Sequence, residues 1–177
     1  MAIYATDFRA RTKTDLTPVT EADEAAERII LEGLAKFDPQ TPVISEEAAA
    51  AGRVPQVGDK FYLVDPLDGT KEFVSRNGEF TVNIAKVENG VPVIGVVYAP
   101  AIGRIFWGDT ARGASEGKVA ADESITWKKL LVRPCPGDGA IVVASRSHRD
   151  SATDDYLKPV KVAKLVSAGS STKFCPV

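Results

Sequence analysis

The chain has 177 residues, 44% hydrophobic and 26% charged, with a formal net charge of −2 and a pI near 5.5. That length and balance suit one globular domain with a sizeable core. The near-neutral charge lacks the basic footprint of nucleic-acid binding, so no DNA or RNA partner is expected, although a nucleotide-sized ligand needs only a local cluster of cations. Cys135 and Cys175 lie far apart and form no Cys-x-x-Cys, which points to free thiols rather than a disulfide framework or a zinc site. Asp7 and Arg9 stand where a signal peptide needs an apolar core, and no apolar run approaches membrane-spanning length, so a cytoplasmic location is expected.

Pro18-Val19-Thr20 leads into the clearest helix, Thr20 to Phe37, where Ala22, Ala25, Ala26, Ile29, Ile30 and Leu34 recur near a 3.6-residue period. Thr20 stands as its N-cap, Thr20-x-x-Asp23 has capping-box spacing, and Asp38-Pro39 ends it. Val43-Ile44-Ser45 is a short strand running into Glu46 and Glu47. Taken alone, Glu46 reads as a solvated surface acid, because Glu is rarely buried unless paired. Ala48 to Asp59, rich in Ala, Gly and Pro, reads as a surface loop. Phe61 to Val64 is a second strand, predicted to stop near Asp65 because Pro66 cannot donate to a ladder.

Asp65-Pro66-Leu67-Asp68-Gly69-Thr70-Lys71-Glu72-Phe73 is the most informative stretch, with two carboxylates three residues apart where a strand gives way to a helix. Hard divalent cations take carboxylate and carbonyl oxygens, and Mg²⁺ typically uses one or two protein carboxylates while phosphate and water complete its shell. Asp65, the Leu67 carbonyl and Asp68 meet that demand, and Gly69-Thr70 opens a turn whose N–H groups can face an anion. Simple turn chemistry is the competing reading, since Asp-Gly pairs are common in turns. An EF-hand is excluded: with Gly69 at its sixth position, Val64 and Ser75 fall where carboxylates are required. Thr70 reads on propensity as the N-cap of the next helix, and Lys71 and Glu72 as its exposed first turn.

Beyond the motif the pattern turns to strands: Phe80 to Val87, the turn Asn89-Gly90, Val91 to Tyr98, and Arg104 to Trp107, an antiparallel meander. Further strands are predicted at Lys129 to Val132, Ala140 to Ala144 and Val162 to Val166, the last leading through Gly169-Ser170-Ser171 into a helical turn, Ser171 to Cys175. Trp107, Trp127 and the Ile/Val stripes are assigned to core packing. His148, the sole histidine, reads alone as structural or exposed, and Lys173 as a solvated helix residue.

Taken in order, the segments Pro18–Asp23, Val43–Glu47 and Asp65–Phe73 resemble the inositol monophosphatase superfamily of Mg²⁺-dependent, lithium-sensitive phosphatases. Inositol monophosphatases usually carry Thr-Asn-Phe where this chain has Lys71-Glu72-Phe73, an ending similar to that of the bacterial 3′(2′),5′-bisphosphate nucleotidases of sulfate assimilation. The resemblance runs from Tyr4 to Val177. It implies a layered α/β fold of the inositol-monophosphatase/fructose-bisphosphatase kind, with an antiparallel sheet flanked by helices. It divides the chain into a metal-binding α/β region, residues 1–135, and the start of a C-terminal α/β region, residues 136–177. A helix before Met1 and a downstream half carrying a Trp-Asp metal ligand are also implied, so the chain is expected to be a fragment of a longer enzyme.

The implied activity is Mg²⁺-dependent hydrolysis of the 3′-phosphate of adenosine 3′,5′-bisphosphate to AMP and phosphate. Inositol or sugar phosphate hydrolysis is the alternative on the same site, and a non-catalytic metal- or nucleotide-binding remnant the alternative for the fragment. By the same resemblance, Glu46, Asp65, the Leu67 carbonyl and Asp68 bind metal, with Asp65 bridging. The Thr70 hydroxyl pairs with Asp23 to orient and deprotonate the attacking water. Asp68, Gly69 and Thr70 face the phosphate, Ser145 and His148 contact the nucleotide, and Gly169 and Lys173 belong to a later segment of the pocket.

Overall fold

The computed structural model describes residues 1–6, 10–12, 18–146 and 149–175. After a 3₁₀ turn, Ile3–Ala5, strands β1 (Ala10–Thr12) and β2 (Pro18–Thr20) pair antiparallel and lead into helix α1 (Glu21–Phe37). Strand β3 (Val43–Ser45), helix α2 (Glu46–Ala50), strand β4 (Lys60–Asp68) and helix α3 (Thr70–Val74) follow. Five further strands are β5 (Thr81–Glu88), β6 (Val91–Ala99), β7 (Arg104–Asp109), β8 (Gly113–Val119) and β9 (Ile125–Leu130). β3 to β9 form one sheet in chain order, with β3 and β4 parallel and every other pair antiparallel. Asn89 and Gly90, at φ 51° and 76°, make the two-residue turn between β5 and β6 that the Asn-Gly pair predicts.

β10 (Ala140–Ser145) and β11 (Val162–Ala168) form a separate parallel pair joined by helix α4 (Ser151–Leu157), and a 3₁₀ turn, Ser170–Phe174, closes the described chain. None of the described helices is long and apolar enough to cross a membrane.

The structure corrects several sequence expectations. β4 does not stop at Asp65 but runs through Pro66 to Asp68, because the ladder with β5 shifts register between Asp65 and Asp68. β3 ends opposite Val64, so no neighbour on that side requires the missing proline N–H. α2 takes the first residues of the presumed 48–59 loop. β9 begins at Ile125 rather than Lys129, and Leu131 and Val132 lie exposed beyond it. β8, Gly-Ala-Ser-Glu-Gly-Lys-Val, carries little strand propensity and is held by pairing on both sides. Trp127 is not core but 48% exposed. A Cβ on Gly117 would sit 2.6–2.9 Å from Ile125, Ile105 and Trp127, so this glycine makes the room in which the three side chains meet. α4, absent from the sequence reading, is capped by Asp150, whose carboxylate accepts from the Thr153 N–H at 2.9 Å.

In α1 the buried side chains are the acids Asp23 and Glu27, while Ile29 is 68% exposed. The core that positions the site is small and aromatic. Leu67, Phe73 and Phe80 are buried against Ile3, Tyr4, Ala22 and Ala101, with the Tyr4, Phe73 and Phe80 rings 4.9–5.0 Å apart.

Candidate active site

Two apolar side chains inside the Asp65–Phe73 stretch, Leu67 and Phe73, are pulled into that core, and their burial fixes Asp68 and Thr70, half-buried, at the turn between them. Gly69 is the hinge. It takes the left-handed conformation at φ 88°, ψ 49°, and it, not Thr70, occupies the N-cap position of α3. A Cβ there would also lie 3.0 Å from Ser170 Cβ, 3.2 Å from Glu72 Oε2 and 3.3 Å from the Glu79 carbonyl oxygen. Glu72 is buried rather than exposed in the first turn of α3, while Lys71 is exposed as expected.

Glu46 at the start of α2, Asp65 on β4 and Asp68 at the β4 end act on one another. Burial, then the negative charges of Glu46 and Asp68 and a hydrogen bond with Glu46, push the Asp65 carboxyl up to about 7, against a Leu67 N–H that donates to Asp65 Oδ1 at 3.1 Å. Asp68 Oδ2 accepts from Ser171 Oγ at 2.6 Å and from Thr81 Oγ1 at 3.4 Å, and Asn83 Nδ2 donates to Ser171 Oγ at 3.0 Å. Ser45, Glu46, Asp65, Asn83 and Ser171 line one cavity of about 440 Å³. Among the described residues, Ser45 Oγ and Asn83 Oδ1 are buried there without a hydrogen-bond partner.

Among the described residues no three His, Cys, Asp or Glu side chains are drawn into metal-ligating geometry. Asp65 and Glu46 lie close enough for the charge of Glu46 to raise the Asp65 carboxyl. The donor chemistry nevertheless fits a hard divalent cation: carboxylates, a carbonyl and orphaned oxygens, with no sulfur or imidazole among them.

Asp23, 2% exposed in the first turn of α1, faces Thr70, whose Oγ1 donates to Asp23 Oδ1 at 3.5 Å and to the Leu67 carbonyl at 3.4 Å. The two residues that the sequence reading paired across 47 positions are therefore neighbours. The Thr20 side chain, expected to cap α1, lies outside the described residues. One turn along α1, Glu27 Oε1 accepts from the Ala48 N–H at 2.9 Å and so serves the first turn of α2, where Ser45 makes no cap. Glu27 thereby holds the helix that carries Glu46. The sequence reading missed it, though an acid four residues after Asp23 on the same helical face was the available signal.

Of the residues expected on the nucleotide side, Ser145 ends β10, half-buried, and His148 lies outside the described residues. Gly169 ends the β11 turn with its N–H bound to Glu79 Oε2 at 2.7 Å. Lys173 Nζ donates to the Ser170 carbonyl at 2.5 Å. Ser171, which the sequence reading passed over, makes the shorter of the two hydrogen bonds to Asp68. Glu79 and Arg146, also passed over, form a two-pronged pair with Oε1–Nη2 at 2.6 Å and Oε2–Nε at 3.1 Å. No local pattern announces contacts that span 67 and 90 residues.

The sequence matches the profile of the inositol monophosphatase family across residues 2–175. It is 48% identical over 165 residues to 3′(2′),5′-bisphosphate nucleotidase CysQ of Salmonella typhimurium and 45% identical over 165 residues to that of Escherichia coli K12. In each case 93% of this chain aligns, and it spans 64% of the relative's length. The crystal structure of CysQ from Bacteroides thetaiotaomicron superposes with a TM-score of 0.75 at 35% identity, covering 98% of this chain and 68% of that one. With three ordered motifs folded against one another and a match along almost the whole chain, this protein belongs to the inositol monophosphatase family.

Proposed function

We propose that the protein is a Mg²⁺-dependent phosphatase that removes the 3′-phosphate of adenosine 3′,5′-bisphosphate to give AMP and phosphate. The observation that carries this reading is that the Asp65–Thr70 segment brings its carboxylates Asp65 and Asp68 to Glu46 of α2 and its Thr70 to Asp23 of α1, in a chain whose relatives bear the bisphosphate nucleotidase name. Glu46, Asp65, the Leu67 carbonyl and Asp68 hold the cation. When bound, Mg²⁺ supplies charge neutralisation of the phosphoryl oxygens and a more acidic water.

The chain's own groups do the rest. Asp23 accepts the Thr70 hydroxyl proton, leaving the Thr70 lone pairs to accept from the attacking water, so water is oriented without an imidazole. Ser171 and Thr81 donate to Asp68 and fix its Oδ2. On the nucleotide side, Ser145, His148, the Gly169 turn and Lys173 bind and orient, with Lys173 as a point charge for phosphate.

The test is phosphate release by the full-length protein from adenosine 3′,5′-bisphosphate and from inositol 1-phosphate, each with and without Mg²⁺. Preference for the nucleotide with an absolute need for Mg²⁺ is expected. Preference for inositol phosphate moves the assignment to the other branch of the family, and turnover of neither removes it.

A further inference from the structure

Glu79 lies in the link between α3 and β5, and its carbonyl oxygen stands 3.3 Å from the place where a Gly69 Cβ would be, directly against the metal-binding turn. Its carboxylate reaches the other way. Oε1 and Oε2 take Arg146 Nη2 and Nε, and Oε2 also takes the Gly169 N–H at 2.7 Å. Arg146 is in turn fixed to β11 by its Nη2 on the Ser167 carbonyl at 3.2 Å and its own N–H on the Ala168 carbonyl at 3.1 Å.

A planar guanidinium meeting a carboxylate on two prongs sets orientation as well as distance. A Cβ on Gly169 would collide with Glu72 Cγ at 2.6 Å, so this turn is seated on Glu72 and tied to Glu79. Two residues beyond Gly169, Ser171 donates to Asp68, so any displacement of the turn is carried to a carboxylate of the candidate metal site.

We propose that Glu79 is a positioning residue: with Arg146 it pins the Gly169 turn against the metal-binding turn and so sets the distance between the nucleotide-holding and phosphate-holding parts of the site. This rests on the reading of Gly169 to Lys173 as the substrate side. A half-exposed ion pair does little for stability on its own. Its contribution here is geometric, and small misplacements in an active site are expensive in rate and binding.

The test uses the full-length protein and three variants. Glu79→Ala removes the acceptor for Gly169. Glu79→Gln keeps an oxygen for that N–H but loses the ion pair. Arg146→Met leaves Glu79 free to hold Gly169.

Glu79→Ala is expected to raise KM for adenosine 3′,5′-bisphosphate on the order of tenfold with a smaller change in kcat. Mg²⁺ affinity measured without substrate should fall by no more than about twofold, less than the rise in KM, because only Asp68 is tied to the turn, through Ser171, and it keeps Thr81. Amide exchange at Gly169 should speed up in Glu79→Ala and stay near wild type in Glu79→Gln, with Arg146→Met between the two.

Unchanged exchange in Glu79→Ala, or equal losses of KM and Mg²⁺ affinity, overturns the proposal. Should Glu79→Ala fail to fold, the Glu79→Gln and Arg146→Met pair decides by the same ordering. The exchange measurement needs no turnover. A wild type inactive on the nucleotide therefore defeats the functional reading, while the exchange rates still decide whether Glu79 pins the turn.

Discussion

Asp68 makes two kinds of contact at once, accepting from Ser171 and Thr81 through Oδ2 while its charge adds to the field that raises Asp65. Asp68→Asn keeps the shape and removes the charge, so the fold should survive, as read by thermal melting, while turnover falls by at least about 10²-fold. Most activity remaining at saturating Mg²⁺ would refute the metal assignment. Asp23 and Thr70 should act as one unit: Asp23→Asn and Thr70→Ala are each expected to cost much of the rate, and the double variant to be little worse than either. Fully multiplicative losses would mean two separate structural roles. At Glu79 the Arg146 hydrogen bonds, opposed by partial burial and aided by the Gly169 N–H, hold the carboxyl below its usual 4.5. A depressed carboxyl stabilises the fold above that value and loses the contribution as pH falls through its lower, folded value. Denaturation curves across this acid range should show an extra loss in the wild type that Glu79→Gln lacks; parallel curves would deny the shift. Asp65, Leu67, Asp68 and Thr70 were legible because their chemistry is packed into nine consecutive residues, and Asp23 because a resemblance paired it with Thr70. Glu27, Glu79, Arg146 and Ser171 were not, since each acquires its role from a partner brought near only by folding.

At the scale of elements, β7, β8 and β9 depend on a missing side chain. Gly117→Ala places a methyl 2.6–2.9 Å from Ile105, Ile125 and Trp127, and overpacking of this sort costs about 1–3 kcal/mol. The melting temperature should drop while kcat per folded molecule stays put. An unchanged melting temperature would show that the three side chains yield freely. Glu27→Ala should instead act on the site: it orphans the Ala48 N–H and frees α2, costing about 1 kcal/mol in stability and weakening Mg²⁺ binding through Glu46. Stability loss without any change in Mg²⁺ binding would confine Glu27 to capping. Strands β3 to β7 were legible from apolar, β-branched runs and an Asn-Gly turn. β8 was not, because Gly, Ser, Glu and Lys acquire strand geometry only from neighbours already in place. The extension of β4 past Pro66 was hidden for a related reason: a bulge is a property of the pairing and leaves no local mark.

For the whole molecule, the architecture was readable as a meander followed by a separate pair of strands, and its one mixed feature, the parallel β3–β4 edge, was not. The order of strands in the main sheet repeats their order in the chain, and from β5 to β9 each strand finds its partner by closing a short hairpin. The two parallel pairings, β3 with β4 and β10 with β11, must each wait for a longer crossover segment to close. Local pairings form sooner than distant ones. Glu46 follows the first of these late junctions and Gly169 the second, so refolding should complete the meander before the site exists. In pulse-labelled exchange, protection of β5 to β8 amides should therefore precede that of β3 and β11, and the ability to hold a cation should be the last property the refolding chain regains.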